Sequence, residues 1–505
     1  MAASAHVDGA THSNKLTGGE ARVNDSALQE SLEGGNLGLA EAGIGRTSVH
    51  RELGMHGTPS DARATAALYR RVAVSLVPLL LLCYIVAMID RLNVGYAKLQ
   101  FMADLHFDEA VFGMAAGSLY VGYILFEVPS NLMLERAGLR LTLLRIMTLW
   151  GVFAMAMAFA GNRWGFYATR FMIGAAEAGF FPGVLFYLTL WFPSGWRARI
   201  TSLFAIGVPV SGVIAAPASS WIMMHMAGVA DLRGWQWLFL MEGAPAVGLG
   251  VIAYFVLPDR PAAARFLSAD EKARIERDLE DDGASEAACG TFAQALRSPR
   301  TYVLALVYFA FYATQSILLL WVPTLLRNAG VRDLGEIGWR TSLIFVSGAV
   351  GMAAIGWSSD RTQERRWHLM SCGIVASGAF FLLPLAAGSP NGTSLCLIVA
   401  SVTIFAFLAL FWTVPTAVFG KGARAGGIAL VSSIGASGSA VSPAFIGWAQ
   451  VLTGSLFGAI AVLAFVFLSS MAALYVYAPA PAKTSGPRSA AFLEPVSPAR
   501  GGKDD

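Results

Sequence analysis

The sequence predicts an all-α membrane protein, with twelve transmembrane helices in two halves of six. Three observations predict it: a scarcity of charge, apolar stretches long enough to cross a bilayer, and one polar break between the halves. Hydrophobic residues make up 55% of the 505 residues and charged residues 14%, whereas soluble domains carry about 25% charge. The deficit is local: it falls in the long apolar stretches, and both ends of the chain stay polar. A helical crossing needs about 20 mostly apolar residues.

In chain order, residues 1–69 are rich in Gly, Ala, Ser and Glu and lack a basic start followed by an apolar core. They read as a disordered cytoplasmic tail rather than a signal peptide. The first half, 70–257, holds stretches starting near Val72, Phe112, Leu141, Trp164, Ile200 and Trp235. The linker, 258–300, contains "LSADEKARIERDLEDD", in which Ser268 and Glu271 form a capping-box pattern before an amphipathic run. That predicts a short surface helix. The second half, 301–477, resumes near Thr301, Thr341, Trp367, Ser394, Gly426 and Ser455. Residues 478–505 are rich in Pro, Ala and Ser and read as a second cytoplasmic tail.

Lys/Arg bias orients the chain with both termini inside. Inside loops then carry Arg136, Arg140 and Arg145; Arg197 and Arg199; Arg361, Arg365 and Arg366; Lys421 and Arg424. Outside loops carry Lys98, Arg163, Arg233, Arg327, Arg332 and Arg340, and the last two outside loops carry none. Corresponding inside turns repeat an acid–Arg pair, Glu135–Arg136 and Asp360–Arg361. This recurrence points to related halves with a ligand site between them near mid-membrane. The paired residues read as gating loops rather than ligand contacts.

Several chemistries are excluded. No GxxxxGK[ST], HExxH or GxSxG run occurs, so ATP hydrolysis and enzyme activity are not expected. Cys83, Cys289, Cys372 and Cys396 show no CxxC spacing, and the histidines show no ligand spacing. No metal or cofactor is expected. A net charge of +3 is too weak to argue for nucleic acid.

Ionisable groups inside apolar spans are functional candidates by default. The first half holds Asp90, Arg91, Glu127, Arg170, Glu177 and Glu242, and the second half almost none. One half therefore carries charge and the other supplies neutral walls. Arg170, Gly174 and Glu177 share a helix face at i, i+4 and i+7. An Arg fork fits a carboxylate, so Arg170 reads as an anion anchor, with a structural pair as the alternative. On that face Arg170 would keep Glu177 ionised, directly or through polar groups between them. Asp90 and Arg91, adjacent in sequence, need not pair with each other. Tyr120, Tyr123 and Glu127 share a face, with Tyr123 the candidate ligand contact. Glu242 follows an aromatic run and reads as structural.

Tyr308, Tyr312 and Gln315 share a face of the seventh span. Trp412 lies in the tenth, and Ser432, Ser433, Ser437, Ser439 and Ser442 crowd the eleventh. Of these, Tyr312, Gln315, Trp412 and Ser432 are candidate substrate contacts, although small residues also serve helix packing. Pro209, Pro217, Pro323, Pro415 and Pro443 are expected kinks.

"GWSSDRTQERR" (356–366) resembles the loop pattern of the major facilitator superfamily. "NLMLERAGLR" (131–140) departs from it, with Asn131 for Gly and Glu135 for Asp. "DRLNVGYAKLQ" (90–100), "RFMIGAAEAGFFPG" (170–183), "WFPSGWRAR" (191–199) and "GWQWLFLMEGAPAV" (234–247) resemble the anion:cation symporter branch. Within it they are most similar to bacterial permeases for tartrate, phthalate and hydroxyphenylacetate. The resemblance covers roughly 70–477. It implies the major facilitator fold in a bacterial inner membrane. It also implies import of a small organic anion or carboxylate with protons by a monomer working through alternating access. An exchanger, a facilitator or a non-transporting sensor is the alternative. It further implies that Arg170 and Arg91 bind the anion and that Asp90 and Glu177 couple the proton.

Overall fold

The computed structural model describes residues 59–286, 296–362, 364–412, 414 and 424–477. Residues 1–58 and 478–505 of the assigned tails, together with Pro415, Lys421 and the side chain of Glu135, lie outside the described residues. Residues 59–69, read as tail, are instead helical, with Leu68 and Tyr69 buried.

Among the described residues, twelve helices are long and apolar enough to cross a membrane. The first runs Pro59–Asp104, starting well ahead of the apolar stretch near Val72. The second spans Glu109–Ala137 and the third Leu139–Ala156. The fourth is in two pieces, Arg163–Glu177 and Phe180–Thr189. The fifth covers Ser194–His225 and the sixth Gly234–Val256. After the polar linker come Pro299–Leu320, Leu334–Thr362, Arg366–Ala386, Pro390–Phe411, Arg424–Thr453 and Leu456–Tyr477.

Helix starts follow local chemistry. The Asp108 side chain accepts from Val111 N at 2.8 Å, and Asn162 from Gly165 N at 2.9 Å. Each satisfies an amide the helix leaves open. Pro209, Pro217 and Pro443 lie inside continuous helices. Pro323 instead marks a break: the chain leaves the helix at Trp321 and restarts as Val322–Asn328.

The expected linker helix spans Ala269–Glu286, and its capping box is formed. Glu271 Oε2 accepts from Ser268 N at 2.9 Å, and Ser268 Oγ from Glu271 N at 3.3 Å. The Ser268 amide, then Arg71, holds the half-buried Glu271 carboxyl below the usual range. The helix is fastened to the first half. Tyr69 Oη donates to Asp278 at 2.8 Å, Ser194 Oγ donates to Asp282 at 2.7 Å, and Arg71 pairs with Glu271.

Packing repeats between the halves. The third span lies on the sixth as the ninth lies on the twelfth, and the second on the fourth as the eighth on the tenth. Between halves, the second span meets the eleventh and the fifth meets the eighth. This is the related-halves arrangement that the recurring acid–Arg turns foreshadowed. At the inter-half seam Gly113 and Gly117 of the second span face the backbone of Pro443 and Ala440. Small residues let helices approach where no hydrophobic effect drives them together.

Lys98, expected in an outside loop, is instead inside the first helix and 3% exposed. Its ammonium lies 2.6 Å from Glu109 Oε2, 4.4 Å from the centre of the Phe112 ring and 3.8 Å from that of Trp321. Trp321 belongs to the second half, so this cluster clamps the two halves at one end. Arg327 Nη1 donating to Leu99 O at 2.7 Å adds a second link there. Desolvated cation–π contacts are worth about 2 kcal/mol. Lys98→Met is therefore expected to loosen this end, increasing modification of single cysteines placed around it roughly tenfold or more. Unchanged accessibility would show that the clamp contributes nothing to closure.

Candidate functional site

Four charges meet between the first and fourth spans. Asp90 and Arg91 come from the first helix; Arg170 and Glu177 come from the fourth. Asp90, Arg170 and Glu177 are each 2% exposed, although a charge at mid-membrane costs at least about 2.5–3.5 kcal/mol. Local backbone explains how the fourth span delivers its pair. Gly174, on the same face, lets the helix approach until a Cβ there would strike the Leu119 carbonyl of the second span. Directly after Glu177 the helix ends, and Gly179 turns the chain at φ 84° in the left-handed region. Glycine adopts that region without a Cβ penalty. Gly174→Val is thus expected to push the second and fourth spans apart, destabilising the protein by about 1–3 kcal/mol. A clearly lowered unfolding temperature in detergent would show it, and a wild-type temperature would refute the close approach.

The partners differ from those the helix face suggested. Glu177 Oε1 pairs at 2.7 Å with Arg91 Nη2 of the first span, not with Arg170. Spacing along one helix could not disclose this, because the partner comes from another helix. Asp90 and Arg91 do turn to different neighbours. Asp90 Oδ2 accepts from Trp150 Nε1 at 2.7 Å and Oδ1 from Asn93 Nδ2 at 3.0 Å. Arg91 also lies over the rings of Tyr120 and Tyr123, at 5.8 and 5.4 Å from their centres. Tyr123 therefore borders the charge cluster.

Arg170 has the most unmet hydrogen-bonding capacity of the four, two buried atoms against one each on Arg91 (Nε) and Glu177 (Oε2). It interacts electrostatically with Asp90 and Glu177, yet its Nε and Nη1 are buried without a hydrogen-bond acceptor. Buried cationic nitrogens in this condition are costly unless something accepts from them.

The second half supplies a neutral wall, as its lack of charge implied. Tyr308 Oη donates to Tyr312 Oη at 3.3 Å. The Tyr308 ring stacks on Phe411 at 4.5 Å between centroids and meets Trp412 edge-on at 4.9 Å. Tyr312 is close enough to Arg91 for the two to interact across the halves. Gln315 is 3% exposed in the same span. Ser432 stands one turn before Gly435, whose backbone packs against the Tyr308 ring. Ser442 serves packing: its Oγ is 2.7 Å from Ser316 Oγ and donates to Ala313 O at 2.8 Å.

The loop residues lie apart from this cluster. Arg136 is exposed at the end of the second span. Asp360 pairs with Arg365 at 3.3 Å, and Arg361 lies over the Trp357 ring at 5.3 Å. Arg140 N donates to Asp259 Oδ1 at 3.0 Å and Arg140 Nε to Tyr254 O at 2.7 Å. The 131–140 turn is thereby tied to the end of the sixth span.

Trp150, Asn93 and the Lys98–Glu109 pair were not singled out from sequence as site groups. Asn93, three residues after Asp90, carried a helical-spacing signal. Trp150, within an ordinary apolar run, carried none.

The family model for the Major Facilitator Superfamily matches residues 80–443. The chain belongs to the major facilitator superfamily. Like its relatives it is a multi-pass membrane transporter. A protein of Pseudomonas putida provisionally named metabolite transport protein NicT is 41% identical over 83% of this chain and 94% of its own length. An Agrobacterium vitis protein provisionally named a tartrate transporter is 39% identical over 77% of this chain and 89% of its own. In fold the chain is similar to the xylose transporter XylE of Escherichia coli in a partially occluded inward-open conformation. The TM-score is 0.62 at 12% identity, covering 82% of this chain and 99% of that one.

Proposed function

We propose that this transporter imports a small carboxylate anion together with protons. The observation that carries the reading is Arg170, a fully buried guanidinium with two nitrogens lacking acceptors. A substrate carboxylate supplies the missing acceptors and the missing charge, and a planar fork suits it. In this reading Tyr123, Tyr312, Gln315, Trp412 and Ser432 are further substrate contacts, supported for Tyr123 and Tyr312 by their nearness to Arg91. The tartrate name of the Agrobacterium relative agrees with this chemistry.

Coupling follows from the Arg91–Glu177 pair. An incoming anion competes for Arg91. Glu177, released in a low-dielectric site, takes a proton from water, and its O–H replaces the lost ion pair. A monoanion taken up with this one proton adds no net charge to the site, whereas a dianion such as tartrate needs a second proton for the same balance. Asp360 and Arg361, and the Glu135–Arg136 turn, act as gates at the loops and do not touch substrate. The protein works as a monomer in a bacterial inner membrane with both termini inside.

The test is uptake of labelled tartrate, and of aliphatic and aromatic carboxylates, into proteoliposomes with and without an imposed pH gradient. Accumulation above the external concentration only with the gradient is expected. Exchange between loaded compartments without pH-driven accumulation would replace symport by exchange. Indifference to every carboxylate would overturn the anion reading.

A further inference from the structure

Behind Asp90 lies a second acid, Glu242 of the sixth span, which the coupling scheme does not use. It is 7% exposed. Its Oε1 accepts from Ser219 Oγ of the fifth span at 2.8 Å, while its Oε2 is buried without a partner. Asn93, fully buried on the first span, stands between the two acids. Its Nδ2 donates to Asp90 Oδ1 at 3.0 Å, its amide also interacts with Glu242, and its Oδ1 has no partner.

We propose that Asp90 and Glu242 act as one proton-binding unit bridged by Asn93, holding a single exchangeable proton between them. This deepens the symport reading and rests on it for the proton's role in transport.

Charge counting supports the unit. Among the described residues this region buries three carboxyls, Asp90, Glu177 and Glu242, beside one buried guanidinium, Arg170, and one half-buried, Arg91; Glu127, half-buried near Tyr123, stands outside this set. Arg91 is committed to Glu177, and Arg170 and Arg91 both act on Asp90. The groups that face Glu242 are Ser219, Asn93, Tyr96 and Asp90, with no cation among them. One proton on the two acids in the empty site therefore balances those five groups. Interacting carboxyls in such a setting titrate as a pair rather than singly. A proton on Glu242 also removes the uncompensated charge from its buried, unpartnered Oε2. When it moves to Asp90, the Asn93 and Trp150 donors release an oxygen to carry it. In each direction an O–H bond forms on one carboxyl and breaks on the other or on hydronium, so nothing but the proton is exchanged. Asn93 is a positioning residue here.

The experiment is infrared difference spectroscopy of the full chain in proteoliposomes, titrated with pH and without substrate. The wild type should show a protonated-carboxyl C=O band whose midpoint moves by at least about one pH unit, tenfold in proton affinity, in both Glu242→Gln and Asp90→Asn. Glu242→Asp should keep the band at a shifted frequency. Asn93→Leu, which retains both acids, should split it into two independent titrations. An unchanged band in Glu242→Gln, or an unchanged single titration in Asn93→Leu, would overturn the unit. Asn93→Leu decides the matter should Glu242→Gln fail to insert. Because no substrate is present, this outcome stands apart from tartrate uptake. A shifted band with no carboxylate transport would leave the unit intact and sink the symport reading alone.

Discussion

Arg170→Lys is expected to bind the transported carboxylate roughly 10- to 100-fold more weakly, although it keeps the charge. The figure is the loss of one charge-assisted hydrogen bond, about 1.5–3 kcal/mol. Lysine offers a compact ammonium in place of the planar fork and cannot meet both carboxylate oxygens with the same geometry. Arg170→Ala should bind more weakly still, because the buried Asp90 then loses one of the two guanidiniums acting on it. Calorimetry on folded protein, with tartrate as probe if it is transported, measures both. Wild-type affinity in the two variants would mean that Arg170 only holds helices together. The distinction matters because a structural arginine at this depth would be expected to have its nitrogens satisfied by the protein. Here Nε and Nη1 are not.

Glu177→Gln is expected to abolish accumulation driven by a pH gradient while leaving exchange between two loaded compartments near the wild-type rate. Gln resembles the protonated acid in shape and charge, so the variant is fixed in the loaded-state form. With one proton per cycle, each imposed pH unit is worth about 1.4 kcal/mol, or about a tenfold concentration ratio. In Glu177→Gln that ratio should fall to one. Its carbonyl can still accept from Arg91, so the first and fourth spans keep a link where the 2.7 Å pair stood. Gradient-driven accumulation at wild-type level would remove Glu177 from the coupling step. Loss of exchange as well as accumulation would assign it to substrate binding instead.

Much of the architecture was legible because a bilayer constrains it so strongly. Backbone polar groups must be satisfied inside each crossing segment, so length and hydropathy alone fix helices. The Ser268–Glu271 box marked a helix start for the same kind of reason: the groups it satisfies are three residues apart in sequence. Shared faces were equally local. Tyr120 with Tyr123, and Tyr308 with Tyr312, meet a common neighbour or each other because helical spacing puts them there.

Pairing between helices was the tertiary structure's decision. Periodicity says which way Glu177 points relative to Arg170, but not which helix will face it, and Arg91 takes the contact. Lys98 counted as a loop charge by the arithmetic of apolar stretches. It is buried because Glu109 and Phe112 of the second helix and Trp321, at the break after the seventh, converge on it. Nothing near Trp150 in sequence announced a donor to Asp90, since the indole and the carboxyl meet across 60 residues of chain. The sequence by itself determined twelve spans, two related halves and a charged first half facing a neutral second one. Those properties depend on hydropathy and helical repeat. Which charges neutralise one another, and that Arg170 is left with nitrogens to offer, depends on contacts between segments. Only the packed bundle settles those contacts.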